Sequence, residues 1–400
     1  GLASQPLQVL GINADGDELA LISAADKHDP KEGRLFIHKV GENGFTHLPI
    51  RGHVESIAWF YQVDLAFQTS VGVETAFEVI LDIKKRSVSS QGTISKVIVG
   101  NMSAAQEKGL AFIAHTPEHP PEVYYIGFNG LNTDGKLRRL TDSNPWLKNM
   151  RFAKQEVIKY KARDGLELEG ILIHPLDEKK GQRYPLVLTV HGGPEAHVSN
   201  GWNTLYHTLG QVGAAQGMAT FLPNYRGSTG RGVAFSMLGQ REAAGKEFDD
   251  LVDAVDHLVK EGLVDPKKVG ITGGSYGGYA TAWGSTYYSH RFAAGVMFVG
   301  ISDSISKCGT TDIPEEMFLV HHRKRLWDDW DYFLKSSPIY HTDKAKTPLL
   351  ILHGKADPRV HPSQSLELHR HLKIRGQAPV RLVLYPGEGH GNRRAASRLD

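Results

Sequence analysis

The stretch Val-Gly-Ile-Thr-Gly-Gly-Ser-Tyr-Gly-Gly-Tyr at 269–279 restricts what this chain can fold into more than any other. A short apolar run at 269–272 reads as a buried strand and a helical pattern continues over 276–289, with Gly273, Ser275 and Gly277 at the join. Strand, sharp turn and helix in that order lift a serine hydroxyl to a helix N-terminus above a sheet. The two flanking glycines let the backbone pass close to its neighbours while Ser275 is held strained. Such a turn exposes a nucleophile. The five-residue pattern alone recurs by chance in a glycine-rich chain, so its surroundings must carry the assignment.

A serine nucleophile needs a base, a carboxylate to orient the base, and donors for the oxyanion. Asp357 follows an expected strand at 349–352, in His353-Gly354-Lys355-Ala356-Asp357, and His390 follows one at 380–384, between Gly389 and Gly391. Serine, aspartate, histidine is the chain order of α/β hydrolases. His191-Gly192-Gly193-Pro194, after an expected strand at 186–190, stands where that fold puts a glycine-rich oxyanion loop. The backbone N–H groups of Tyr276 and Gly193 are the expected donors. Singly, Asp357 reads as a turn former and His390 as one of 20 histidines; at matching strand ends with Ser275 they read as a triad. His191 reads as a loop-ordering residue rather than a base.

From residue 157 onward strands and helices alternate. A hairpin at 157–160 and 166–173 turns through Asp164-Gly165, and apolar runs at 186–190, 219–222, 269–272, 294–299, 349–352 and 380–384 alternate with helical patterns at 248–261, 276–289 and 362–375. That is an α/β layer architecture. The N-terminal part differs: Leu19-Ala20-Leu21, Leu65-Ala66-Phe67 and Leu110-Ala111-Phe112 recur about every forty-five residues, the spacing of propeller blades. Second strands are expected at 35–40, 77–83 and 122–128, third strands at 46–50, 95–99 and 137–140. The expected organisation is a partial, about three-blade β-propeller over 1–148 followed by an α/β-hydrolase domain over 149–400. A small β-sandwich is the competing reading of the first part.

Charge excludes some partners. With 46 basic and 44 acidic residues spread along the chain and a net +2, there is no basic stripe, so nucleic acid is not expected. No apolar run approaches membrane-spanning length, so no membrane association is expected. The single cysteine, Cys308, excludes an internal disulfide and fits a reducing, cytoplasmic compartment. A secreted or periplasmic location stays open because the chain, lacking an initiator methionine, looks cut at its N-terminus. His321-His322 and His369/His371 lack zinc spacing, no H-E-x-x-H occurs, and Gly245-Lys246 leads into Glu247, so no metal, cofactor or phosphate loop is implied. Gly227, Gly230 and Gly232 miss the dinucleotide spacing and read as a flexible loop near the site.

Gly273-Gly274-Ser275-Tyr276-Gly277-Gly278-Tyr279, His191-Gly192-Gly193-Pro194, Asn224-Tyr225-Arg226-Gly227-Ser228-Thr229-Gly230, His353-Gly354 with Asp357, and Gly389-His390-Gly391 together resemble the catalytic domain of the prolyl oligopeptidase family. The acylaminoacyl peptidase and dipeptidyl peptidase branches are the most similar, over roughly 155–399. The resemblance implies a serine peptidase acting on short peptides, without a cofactor, behind a propeller that restricts access. Two departures stand out: the family's propellers usually have about seven or eight blades, and its hydrolase ends in a helix after the histidine. Both ends therefore look cut. Acylaminoacyl peptidases carry an arginine matching Arg359, which implies that Arg359 anchors a peptide carbonyl. Glu315-Glu316 could instead hold a free amino terminus, but Asp312 and Pro314 read as the N-cap and first position of a helix that those glutamates begin. A carboxylesterase of the same fold is the alternative function, and a non-catalytic binding module a third; homo-oligomerisation is left open.

Overall fold

A computed structural model describes the chain apart from residues 1–6, 30–31, 61–63, 81–82, 84–87, 91–96, 106–107 and 130–131. The described chain divides into two compact units, one of residues 1–152 with 199–203 and 229–237, the other of 153–198, 204–228 and 238–400. None of its helices is long and apolar enough to cross a membrane.

Among the described residues, the first unit is built from three antiparallel sheets. They run Leu7–Ile12, Glu18–Ser23, Arg34–Lys39, Thr46–His47; then His53–Trp59, Leu65–Val71, Glu74–Ile80, Val88–Ser90; then Ile98–Ala105, Gly109–Thr116, His119–Asn129, Asn132–Thr133, with Arg138–Arg139 also paired to the third strand. Each repeat motif lies in the second strand of its sheet, where Ala20, Leu65, Phe67, Leu110 and Phe112 are buried. Ala20, Ile22 and Leu35 of the first sheet meet Val54, Leu65 and Phe67 of the second in one apolar cluster, while Ala66 meets Leu110 and Phe112 of the third in another. Sheets stacked face to face in this way form propeller blades. One strand changes place. The run at 95–99, expected as the third strand of the second sheet, contributes instead to Ile98–Ala105, the first strand of the third sheet, which pairs with Gly109–Thr116; residues 95–96 lie outside the described residues. Alternating burial marks a strand but not its partner.

Two excursions from the hydrolase sequence belong to this unit. Asn200 donates to Val73 O (2.6 Å) and Gly72 to Gly230 O (2.8 Å). The Glu32 carboxylate accepts from the N–H groups of Gly230 (3.2 Å) and Gly232 (3.1 Å). The stretch expected to be a flexible loop is thus pinned at Gly230 and Gly232, whose positive φ serves fixed turns.

The second unit is an eight-stranded sheet: β1 (Gln155–Lys161), β2 (Glu167–Ile173), β3 (Tyr184–Val190), β4 (Ala219–Asn224), β5 (Val264–Gly274), β6 (Ala294–Phe298), β7 (Leu349–Gly354) and β8 (Val380–Tyr385). Their spatial order is β1-β2-β4-β3-β5-β6-β7-β8. β1 and β2 are antiparallel, β2 meets β4 antiparallel, and every later pair is parallel. Parallel strands covered on both faces read as apolar runs, and β4, Ala-Thr-Phe-Leu-Pro-Asn, is buried throughout. Helix α1 (Lys246–Lys260) buries Phe248, Leu251, Val252, Val255 and Leu258, spacings that share one helical face. Helix α2 (Tyr276–Thr286) is small-residue-rich and buried all round. Because β5, β7 and β8 run parallel, their C-terminal ends open on the same edge, where ligands bind in open α/β sheets. A short helix, Ala395–Leu399, follows the last strand. This architecture is an α/β hydrolase preceded by propeller blades.

Candidate active site

Ser275 joins β5 to α2 with φ 58° and ψ −118°, a left-handed conformation that costs a non-glycine residue roughly 1–3 kcal/mol. Its surroundings enforce the strain. The Ser275 N–H donates to Phe298 O of β6 (3.0 Å), and its own carbonyl accepts from Tyr279 N in the first turn of α2 (2.9 Å). Gly277 shows why no side chain is tolerated beside it, since a Cβ there would stand 2.0 Å from Val190 O at the end of β3.

The loops after β7 and β8 bring the partners. His390 places Nε2 2.8 Å from Ser275 Oγ and Nδ1 2.7 Å from Asp357 Oδ2. Asp357 is 2 % exposed, and its other oxygen accepts from the N–H groups of Arg359 (2.9 Å) and Val360 (3.1 Å). Burial pushes its carboxyl up, but hydrogen bonds from His353 and His390, the His390 charge and the Val360 N–H outweigh burial and hold it well below the usual carboxylate range. Sequence reasoning missed His353. It is fully buried, with Nε2 3.3 Å from Asp357 Oδ2 and 2.8 Å from Val360 O, and Nδ1 2.6 Å from Ser365 Oγ of the helix Ser363–Arg375. A histidine ending a strand four residues before the acid was the available signal. Gly354 completes the join, because a Cβ there would lie 2.2 Å from Gly389 O of the histidine loop.

The glycine-rich loop after β3 packs on the nucleophile turn: a Cβ on Gly192 would stand 3.2 Å from Ser275 Cβ. Gly193 is exposed with φ 118°, and Tyr276 is the first residue of α2, so its N–H has no acceptor within the helix. His191 stacks on Tyr225 (4.4 Å between centroids), with its ring nitrogens 2.9 Å from Gly192 O and 2.9 Å from Ser228 Oγ. Burial depresses its pKa to about 4. A neutral, enclosed imidazole orders the loop and is no base for Ser275.

Below the nucleophile, the Tyr276 hydroxyl donates to the Glu247 carboxyl (3.2 Å), which also accepts from Gly245 N (3.1 Å) and is 1 % exposed. Burial raises the Glu247 pKa from 4.5 to about 8 against hydrogen bonds from the Glu247 and Ala244 backbone and the Tyr276 hydroxyl. Below its ordinary value the group costs the fold nothing; from there to about pH 8 the unfolded chain ionises it while the fold resists, so stability is lost as pH rises. Glu247→Gln is expected to gain in Tm on the unmodified chain from about pH 5 to pH 8. A Tm difference independent of pH would remove Glu247 as the cause.

Arg359 reaches the rim, its side chain 40 % exposed, with Nε donating to Asp312 Oδ1 at 2.6 Å. Asp312 therefore does not cap a helix: the turn Pro314–Glu316 has Ile313 at its N-cap, and the Asp312 carboxylate is spent on the guanidinium. Glu315 receives Arg325 through two hydrogen bonds (2.9 and 2.8 Å). Glu316 lies 3.8 Å from His321 Nε2, which Glu195 of the glycine-rich loop approaches to 3.2 Å. One ligand atom from each of Glu195, Glu316 and His321 lies within 4.8 Å of the others, a spacing that could hold a cation and that no sequence interval announced.

Residues 205–400 match the prolyl oligopeptidase family. Dipeptidyl aminopeptidase BIII of Pseudoxanthomonas mexicana is 36% identical over 290 residues, which span 70% of this chain and 41% of that protein. The acylamino-acid-releasing enzyme of Sus scrofa is 32% identical over 243 residues, 59% of this chain and 32% of the enzyme. The solved acylaminoacyl peptidase of Pyrococcus horikoshii superposes with a TM-score of 0.83 at 25% identity, over 97% of this chain and 59% of that one. The chain thus spans between about a third and three fifths of the length of these relatives.

Proposed function

We propose that this chain, whose residues 205–400 match the prolyl oligopeptidase family, is a serine peptidase cleaving short peptides through an acyl-enzyme. The observation that carries this reading is the unbroken line Asp357–His390–Ser275, with contacts of 2.7 and 2.8 Å. His390 Nε2 takes the hydroxyl proton as Ser275 Oγ attacks the scissile carbonyl carbon. Asp357 holds the ring through Nδ1–H and stabilises the imidazolium that forms. The N–H groups of Tyr276 and Gly193 receive the oxyanion, each contributing roughly 3–4 kcal/mol. Collapse expels the amine, protonated by His390, and leaves an ester on Ser275. Water, deprotonated by the same ring, then releases the acid and regenerates Oγ–H. Fluorophosphonate labelling of Ser275, followed by turnover of dipeptidyl, acyl-peptidyl and ester substrates, tests the reading. Labelling with turnover of esters alone would overturn it in favour of a carboxylesterase.

Arg359 is the proposed anchor for a peptide carbonyl upstream of the scissile bond. Its support is position: its N–H is tied to the triad carboxylate and its guanidinium is aligned by Asp312, leaving donors over for substrate. Arg359→Ala should raise KM for short peptides about tenfold or more, the loss of one charge-assisted hydrogen bond, while fluorophosphonate labelling stays near normal. Unchanged KM for both blocked and free-amine peptides would take Arg359 out of the site.

A further inference from the structure

One buried cation is unused by this chemistry. Lys307 lies in α3 (Ser304–Thr310) and is 4 % exposed. Its Nζ faces Met317 Sδ at 3.3 Å and Thr311 Oγ1 at 3.5 Å, and it forms no ion pair with a carboxylate among the described residues. The acids whose charges reach it are engaged elsewhere, Asp312 with Arg359 and Glu316 with His321. A cation enclosed without a counter-ion is costly, and the fold retains it between Met317 and Thr311.

Its place follows from three hydrogen bonds. Thr311 N donates to Lys307 O (3.1 Å) at the end of α3, Thr311 Oγ1 donates to Arg359 O (2.8 Å), and Asp312 N donates to Pro358 O (3.1 Å). The end of α3 that carries Lys307 is therefore stapled to the loop that delivers Asp357, and the ammonium reaches that loop through Thr311 Oγ1. On its other side α3 begins just past Phe298, whose carbonyl holds the Ser275 N–H. Lys307 thus stands in the wedge between the strand next to the nucleophile and the acid's loop.

We propose that Lys307 forms the floor of the subsite for the substrate side chain preceding the scissile bond, and that the chain prefers peptides with aspartate or glutamate at that position. This rests on the peptidase reading above. A carboxylate entering there supplies the missing counter-ion through a charge-assisted hydrogen bond, whereas the amide isosteres leave the ammonium uncompensated.

Two measurements separate this proposal from the reading beneath it. Labelling of Ser275 by phosphonate esters bearing a glutamate or a glutamine side chain needs only the nucleophile and the subsite; kcat/KM for matching peptide anilides needs the whole reaction. Glutamate should lead glutamine by about tenfold or more in both at pH 7. Burial has brought the Lys307 pKa down to about 8, with Cys308, Asp312, Glu316 and Arg359 as the titratable neighbours and His322 within reach of its field, so the lead should shrink as pH rises past that value. Lys307→Met should abolish the lead and Lys307→Arg keep it, with matched circular dichroism in all three. Equal rates for the two side chains in the unmodified chain, or a lead that survives in Lys307→Met, would overturn the proposal. If the phosphonates discriminate while no peptide is cleaved, the peptidase reading falls and the anion-binding subsite stands. Should Lys307→Met not fold, the ratio and its pH dependence in the unmodified chain still decide.

Discussion

Ser275→Ala is expected to lower kcat for any peptide that the chain cleaves by about a million-fold, leaving the fold and Tm nearly unchanged. The magnitude is that of removing a triad nucleophile, after which only oxyanion stabilisation and binding remain. Fold retention follows from the local geometry. The contacts that hold the turn are backbone ones, Ser275 N to Phe298 O and Tyr279 N to Ser275 O, and alanine keeps both. The hydroxyl itself gives up only the contact with His390 Nε2. Single-turnover kinetics with matched circular dichroism would check this. Near-normal turnover by a folded variant would mean that the peptide bond is broken elsewhere.

Asp357→Asn should cost about 10⁴ in kcat while KM changes little. An amide in this place cannot accept on every side: two backbone N–H groups and His390 Nδ1 all point at it, with His353 close by. One of those donors would face an NH₂ group. The imidazole would then favour the tautomer that presents N–H to Ser275 and cannot take its proton. The same carboxylate also links activity to acid stability. Its folded pKa is depressed, so its contribution is fully present above the unfolded value of about 4 and disappears as pH falls through the lower folded value. The unmodified chain should therefore lose its stability advantage over Asp357→Asn on acidification, read as converging Tm values. A kcat loss under tenfold would mean that His390 is oriented by something other than Asp357.

What the sequence indicated alone was the candidate triad and the order of the parts. Strand, turn and helix around Ser275 are local matters, because two glycines and an apolar run leave the backbone few choices there. Period and composition fixed the alternation of strands and helices for the same reason. The approximate forty-five-residue repeat announced the blades, since each must reproduce the same buried second strand. Partnership was beyond reach. Nothing local told the run at 95–99 that it opens the third sheet, because a strand's pattern records which face is buried and not what is hydrogen-bonded to its edge. The same holds at the site. Asp312 looked like a cap and is an ion-pair partner, because capping is read from neighbours in sequence while its cation, Arg359, arrives from another loop. His353 beneath Asp357 and the convergence of Glu195 and Glu316 on His321 have the same origin. Lys307 makes the distinction sharpest: as a letter it is an ordinary solvated lysine, and only packing of α3 against the acid's loop strips its water and leaves its charge unanswered. Chemical identity is carried by single residues and short intervals; burial and charge partnership are properties of surfaces brought together by the fold.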